Sequence, residues 1–129
     1  HMKHKNDFTI MKGLPIGMFS YGVKISAIKK ILKIKRVKNT ETWGPYFLGR
    51  SKFKVGYYKV NIKPKYKKLR LTVDEQEDLN LVNKILSLSK KNQPNTSQIF
   101  KIFDKNPNLS NINFHIKQKP INIAKFKNN

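Results

Sequence analysis

The sequence predicts an α/β fold: a mixed sheet of about three to four strands, about four helices, and a helical C-terminal part. Three observations point there. Apolar runs with strand character cover Asp7–Met11, Phe53–Ile62 and Leu69–Val73, the last a clean period-two alternation. Apolar stripes at helical spacing follow Ser26 (Ala27, Ile28, Ile31, Leu32) and Asp74 (Leu79, Val82, Ile85, Leu86). Beyond Asn95 only short helical patterns and a polar tail remain.

Taken in order, His1-Met2 reads as a tag remnant, and residues 3–129 are expected to form one domain. After the first strand, Lys12 to Gly17 is a turn-rich link with two glycines and a proline. Met18 to Val23 is expected to be extended, and Ser26 to open a Lys-rich helix ending near Arg36. Asn39 to Phe47 is a loop or short helical turn around Trp43. Val55, Tyr57, Tyr58, Val60 and Ile62 give the next strand, expected to turn its aromatics inward. The alternation Leu69, Leu71, Val73 then runs into Asp74, and Asp74 with Glu77 resembles a capping box at the start of the following helix. Thr96 is expected to cap a helix burying Ile99, Ile102 and Phe103, which Asn106-Pro107 stops. A last short helix carries Leu109, Ile112 and Ile116, and from Lys117 on the chain reads as a loose tail.

Composition excludes several classes. With no Cys there is no disulfide framework and no cysteine–zinc site. No apolar run approaches a membrane span and no secretory signal is visible, so a cytoplasmic protein with no membrane span is expected. Ser20, Ser26 and Ser51 have no histidine at a usable spacing, and His4 and His115 stand alone. No Gly-rich phosphate loop is present. Lys and Arg number 28 against 7 Asp and Glu, a net charge of +21. A charge of that size suggests an anionic partner. Yet Arg occurs only at 36, 50 and 70, and a surface built to read nucleic acid favours arginine's planar fork. Nucleic acid is therefore not the expected partner, and a small basic nucleic-acid-binding domain stands as the alternative reading. The run Lys52 to Lys59 reads first as an ordinary strand, with a base-stacking platform as its second reading. Four of the seven carboxylates fall between Asp74 and Asp78, where a strand end meets a helix start. In open α/β sheets that edge is where ligands bind.

Two stretches carry a family resemblance: Thr40-Glu41-Thr42-Trp43-Gly44-Pro45-Tyr46-Phe47, and Leu69-Arg70-Leu71-Thr72-Val73-Asp74-Glu75-Gln76-Glu77-Asp78-Leu79. Together they resemble the C-terminal half of the cytidylyltransferase family, closest to its spore-coat-polysaccharide and acylneuraminate branch. Leu14-Pro15-Ile16-Gly17 upstream, Ile99 to Leu109, and Asn111-Ile112-Asn113 with Gln118-Lys119 follow in the matching order. The resemblance implies a partial Rossmann-like nucleotidyltransferase fold. It implies a Mg²⁺-dependent reaction that joins CTP to a sugar or sugar acid as a CMP-sugar and releases pyrophosphate, in polysaccharide biosynthesis. It assigns Asp74 as one metal ligand, with Thr72, Trp43 and Tyr46 on the substrate side and no catalytic residue of this chain's own. Sialic-acid-activating relatives carry a second Asp where this chain has Thr72, and many spore-coat-type relatives carry Asp where it has Phe19. The family's CTP-binding loop would precede these residues. The expectation is thus a C-terminal fragment, inactive alone, partnered by an N-terminal half of the same fold and by nucleotide and sugar. Pairing through this half is common in the family, which adds a homodimer and a dimerisation module to the expected readings.

Overall fold

A computed structural model describes residues 1, 3–38, 43–48 and 52–120. The fold is mixed α/β. In chain order it runs β1 (Phe8–Lys12), β2 (Tyr21–Val23), α1 (Ile25–Ile34), α2 (Pro45–Leu48), β3 (Val55–Lys59), α3 (Pro64–Lys67), α4 (Gln76–Leu88), α5 (Thr96–Lys105) and a 3₁₀ helix at Pro107–Ile112. Among the described residues, no helix is long and apolar enough to cross a membrane.

The chain packs as two compact units, which it visits alternately. One draws on His1–Lys12 and Ser20–Lys59, the other on Gly13–Phe19 and Val60–Gln118. No change of composition marks the crossings, so the sequence alone does not announce them.

The first unit is built on a three-stranded sheet of order β2-β1-β3. β1 pairs antiparallel with β2, Phe8 opposite Val23 and Ile10 opposite Tyr21. It pairs parallel with β3, Phe8 opposite Val55 and Ile10 opposite Tyr57. One face buries Phe8 together with Ala27 and Ile31 of α1, Tyr46 and Phe47 of α2, and Phe53. Phe8 stacks on Phe47 at 4.5 Å between ring centres, and Phe53 meets Phe47 edge-on at 5.1 Å. Such aromatic pairs add about 0.5–1.5 kcal/mol each beyond the area they bury.

The second unit is helical, with Tyr66, Leu69, Leu81, Ile85, Phe100, Phe103 and Leu109 as its core. Tyr66 lies flat against Phe100 at 4.1 Å and donates to the carboxylate of Asp104 at 2.7 Å. Asn95, not Thr96, caps α5, and its side chain accepts from the Gln98 N–H at 3.0 Å. Phe100 and Phe103 are buried, whereas Ile99 and Ile102 pack only at the margin. Asn106 ends α5 ahead of Pro107, as the sequence predicts.

Four further expectations are corrected. Leu69–Val73 is not a strand: its one ladder contact is a parallel bridge between Arg70 and Ile16. Ile16 is flanked by Pro15, which has no N–H to give, and by Gly17 at φ +92°, where the partner segment turns away. The pairing therefore cannot propagate. α1 begins at Ile25, with Lys24 as its N-cap and no side-chain cap, so Ser26 already lies inside the helix. Ala27 and Ile31 face its core, but Ile28 and Leu32 are exposed. In α4 the buried positions are Asp78, Leu81 and Ile85, while Leu79 and Leu86 face solvent. The tyrosines of β3 are both exposed, Tyr57 on the core-bearing face at 56% and Tyr58 on the other at 63%. Residues 39–42 of the Trp43 loop and the tail beyond 120 lie outside the described residues.

Gly17 sits where only glycine is unstrained, and an added Cβ would collide with the Leu71 backbone. Gly17→Ala should cost about 1–3 kcal/mol or more in a urea melt, since a left-handed conformation penalises any Cβ even before the collision. Gly44→Ala is the matched control: its Cβ would meet only the Phe8 ring, at 3.9 Å, and the midpoint should barely move.

Candidate functional site

The Asp74 corner is organised by a residue that the sequence pattern treats as a mere helix-start acid. Glu75 is the N-cap of α4, and Asp78 is its capping-box partner three residues on. Asp74 precedes the cap and does not form it. Asp78 is wholly buried, yet its two oxygens collect five donors. Arg70 gives Nε to Oδ1 and Nη2 to Oδ2, both at 2.9 Å. Asn113 gives its amide to Oδ1 at 2.8 Å. The backbone N–H groups of Asp74 and Glu75 reach Oδ2 at 3.1 and 3.2 Å. Among the described residues no buried side-chain polar atom lacks a partner.

Burial by itself would push the Asp78 carboxyl up. The hydrogen bonds from Arg70, then Asn113, then the two backbone amides outweigh it and hold the carboxyl well below the usual carboxylate range. Arg70 is raised above its own ordinary value, first by its bonds to Asp78 and then by those to Asp74. The guanidinium is itself only 8% exposed. Its remaining donors go to Asp74 Oδ2 at 2.9 Å and to Gln118.

The structure brings Thr72 and Asp74 together. Thr72 Oγ1 faces Asp74 Oδ1 at 3.4 Å, and the Asp74 side chain is 47% exposed. Trp43 and Tyr46 belong to the first unit. They line a cleft of about 200 Å³ with Ile28, Ile31, Leu32, Lys35 and Phe47. Tyr46 is only 3% exposed and is a core residue, while Trp43 is 39% exposed. His115 lies 3.9 Å from Glu77 at the surface. Arg70, Asn113 and Gln118 carry no assigned role in the sequence reading. Asn113 is 35 residues from Asp78 and Gln118 48 from Arg70, beyond any local pattern, and the 8 residues from Arg70 to Asp78 cross an irregular segment before α4. The one local signal is that an arginine stands where this chain otherwise uses lysine.

The Mg²⁺ implied by the resemblance is a limited fit. Among the described residues no three His, Asp or Glu side chains gather. Both Asp78 oxygens are taken, Asp74 Oδ2 is held by Arg70, and Asp74 Oδ1 accepts from the Thr72 hydroxyl at 3.4 Å, the longest of these contacts. The group Arg70, Asp74 and Asp78 has one formal negative charge in excess, so a cation at Oδ1 is not repelled by an unmatched guanidinium. A single carboxylate oxygen suits Mg²⁺, which is commonly held by one or two carboxylates with substrate phosphates and water.

No protein-family model, curated protein or solved structure matches the chain.

Because the folded value of Asp78 lies below its ordinary 3.8, the unfolded chain binds the proton first as pH falls. The stabilisation is therefore complete above about pH 4 and is lost progressively below it. Urea midpoints should be flat near neutrality and drop in acid. Asp78→Asn should cost about 3–5 kcal/mol at pH 7, because buried Arg70 loses its buried charge partner and keeps only the half-exposed Asp74. The variant's acid drop should be shallower than that of the parent; an equal drop would place the acid sensitivity elsewhere.

Proposed function

We propose that this chain supplies the metal-side corner of a sugar cytidylyltransferase fold, in which Asp74 meets the Mg²⁺-bound phosphates of CTP and Thr72 lies beside it. One observation carries the reading. Three stretches that resemble the family separately, Leu14–Gly17, Leu69–Leu79 and Asn111–Gln118, converge on one hydrogen-bonded corner. Ile16 bridges Arg70, Asn113 donates to the Arg70 backbone carbonyl and to Asp78, and Gln118 accepts from the Arg70 guanidinium. Asp74 is the half-exposed carboxylate at its rim.

In this reading the chain's own residues position and do not transform. Asp78 fixes Arg70, Arg70 fixes one oxygen of Asp74, and the other accepts the longer contact from the Thr72 hydroxyl. When bound, Mg²⁺ supplies charge neutralisation at the phosphate oxygens, which lets a sugar hydroxyl attack the α-phosphate and pyrophosphate leave. Nucleotide and sugar are the substrates, and an N-terminal half of the same fold or a second copy of the chain is a further partner. Trp43 and Tyr46, which the resemblance puts on the sugar side, lie in the first unit, where Tyr46 is a core residue.

Mn²⁺ provides a test that does not need turnover. In an amide NMR spectrum with CTP present, substoichiometric Mn²⁺ should broaden Thr72 to Glu75 selectively, and Asp74→Asn should abolish the effect. Broadening that survives Asp74→Asn, or that centres on other carboxylates, would remove Asp74 from the metal site.

A further inference from the structure

The first unit holds a second feature, independent of the Asp74 corner. The register of its sheet places Tyr21 of β2, Ile10 of β1 and Tyr57 of β3 in one row across the strands. Residues directly opposite one another share a face. This row lies on the same face as Phe8, Val23 and Val55, which α1 and α2 cover. One step along, that cover thins: Ile10 is half-buried against it and the Tyr21 ring stacks on Phe8 at 5.4 Å, while Tyr21 stays 51% and Tyr57 56% exposed. The next row on that face is Lys12 opposite Lys59, both exposed. Lys12 Nζ stands 3.8 Å from the centre of the Tyr57 ring, and Trp43 meets Tyr21 edge-on at 5.5 Å. β3 is an edge strand, and between His1–Lys12 and Ser20–Lys59 the only carboxylates are Asp7 and Glu41. Asp7 sits at the opposite end of β1 and is held by the Lys54 N–H at 2.9 Å, with Lys24 nearby at 3.7 Å.

From this ledge we propose that the first unit binds single-stranded nucleic acid, with one base on Tyr21, one on Tyr57, and the intervening phosphates against Lys12 and Lys59. The geometry suits that ligand. Two strand spacings put the tyrosines about 10 Å apart, with Ile10 as an apolar floor between them. Aromatic side chains on a sheet face stack bases without needing to read them. Lysine serves adequately here, because phosphate contact requires charge and not the bidentate fork that reads a base edge. The scarcity of arginine therefore argues against sequence-specific reading and not against stacking. Lysines on an edge strand also deter strand-to-strand association. That role alone does not account for two half-exposed tyrosines flanking β1 on the lysine-bearing face.

The full chain should be titrated with a twelve-residue oligothymidylate, with heparin, and with CTP. Oligothymidylate should quench Trp43 fluorescence, since a base on Tyr21 lands beside the indole, and its affinity should fall steeply with salt. Tyr57→Ala should weaken oligothymidylate binding about tenfold, a typical loss for one stacked base, and leave heparin binding unchanged. Tyr57→Phe should restore it. If Tyr57→Ala leaves oligothymidylate unaffected, or weakens heparin equally, the ledge is no more than a positive surface and the proposal falls. It falls also if CTP, added without a divalent metal, quenches Trp43 as tightly as the oligomer does, which would make this ledge a mononucleotide site. Because Tyr57 is exposed, neither substitution threatens the fold, and both readouts are independent of Asp74.

Discussion

The second unit depends on one buried charge. Asp78 is a carboxylate with no solvent contact, an arrangement that would be prohibitive without matched donors. Its matching ties distant parts of the chain together. Arg70 comes from the segment before α4, the amides of Asp74 and Glu75 from the helix entry, and Asn113 from just past the 3₁₀ helix. Asn113 also donates to the Arg70 carbonyl at 3.0 Å, so the arginine's backbone and side chain are fixed by the same network. A buried pair of this kind adds little net stability over an apolar replacement. What it adds is uniqueness: the helix entry, the Arg70 segment and the Asn113 turn can satisfy these donors in only one mutual arrangement. Asp74 inherits its position from that arrangement.

Much of the fold was legible in the sequence, and the illegible part has a consistent physical cause. β1, β3, α1, α4 and α5 lie where the local patterns place them, because apolar spacing and proline or glycine breaks are short-range signals. What failed depended on partners far away. Leu69–Val73 alternates as a strand should, but a strand needs a neighbour along its length, and Pro15 and Gly17 limit Ile16 to a single bridge. The buried face of α4 was misread by about one helical position, because the pattern counts apolar residues and cannot know that a carboxylate occupies the innermost place. Asp78 reads as an ordinary first-turn acid; only Arg70, across an irregular segment, and Asn113, remote in sequence, make it a core residue. At the candidate site, Asp74 and Thr72 were found together, whereas Tyr46 turned out to belong to a packed core.

The exposure of Tyr57 in β3 follows from the same logic on a smaller scale. The sheet of the first unit is three strands wide and its helical cover is short: α2 has four residues, and α1 buries only Ala27 and Ile31. That cover shields the row of Phe8, Val23 and Val55 and reaches Ile10, but it leaves the flanking Tyr21 and Tyr57 half-exposed. Alternation tells which residues share a face, but not how far along a strand the opposing layer extends.

The same accounting changes what the net charge means. A charge of +21 in a chain rich in Lys, Asn and Ile can arise from composition alone, but its physical effect does not depend on its origin. Of the few carboxylates, Asp78 is sealed in the core, Asp74 faces Arg70, Asp104 is bound by Lys65 and Tyr66, and Asp7 lies near Lys24. The negative charge is thus largely engaged in local pairs, and the field presented to an approaching ligand is positive over most of the surface. Such a field attracts any polyanion and discriminates among none. Discrimination must then come from features that are not simply cationic, and the two proposals differ in this: a metal at the half-exposed Asp74 side chain would favour a phosphate, and the tyrosine ledge would favour an anion that carries bases.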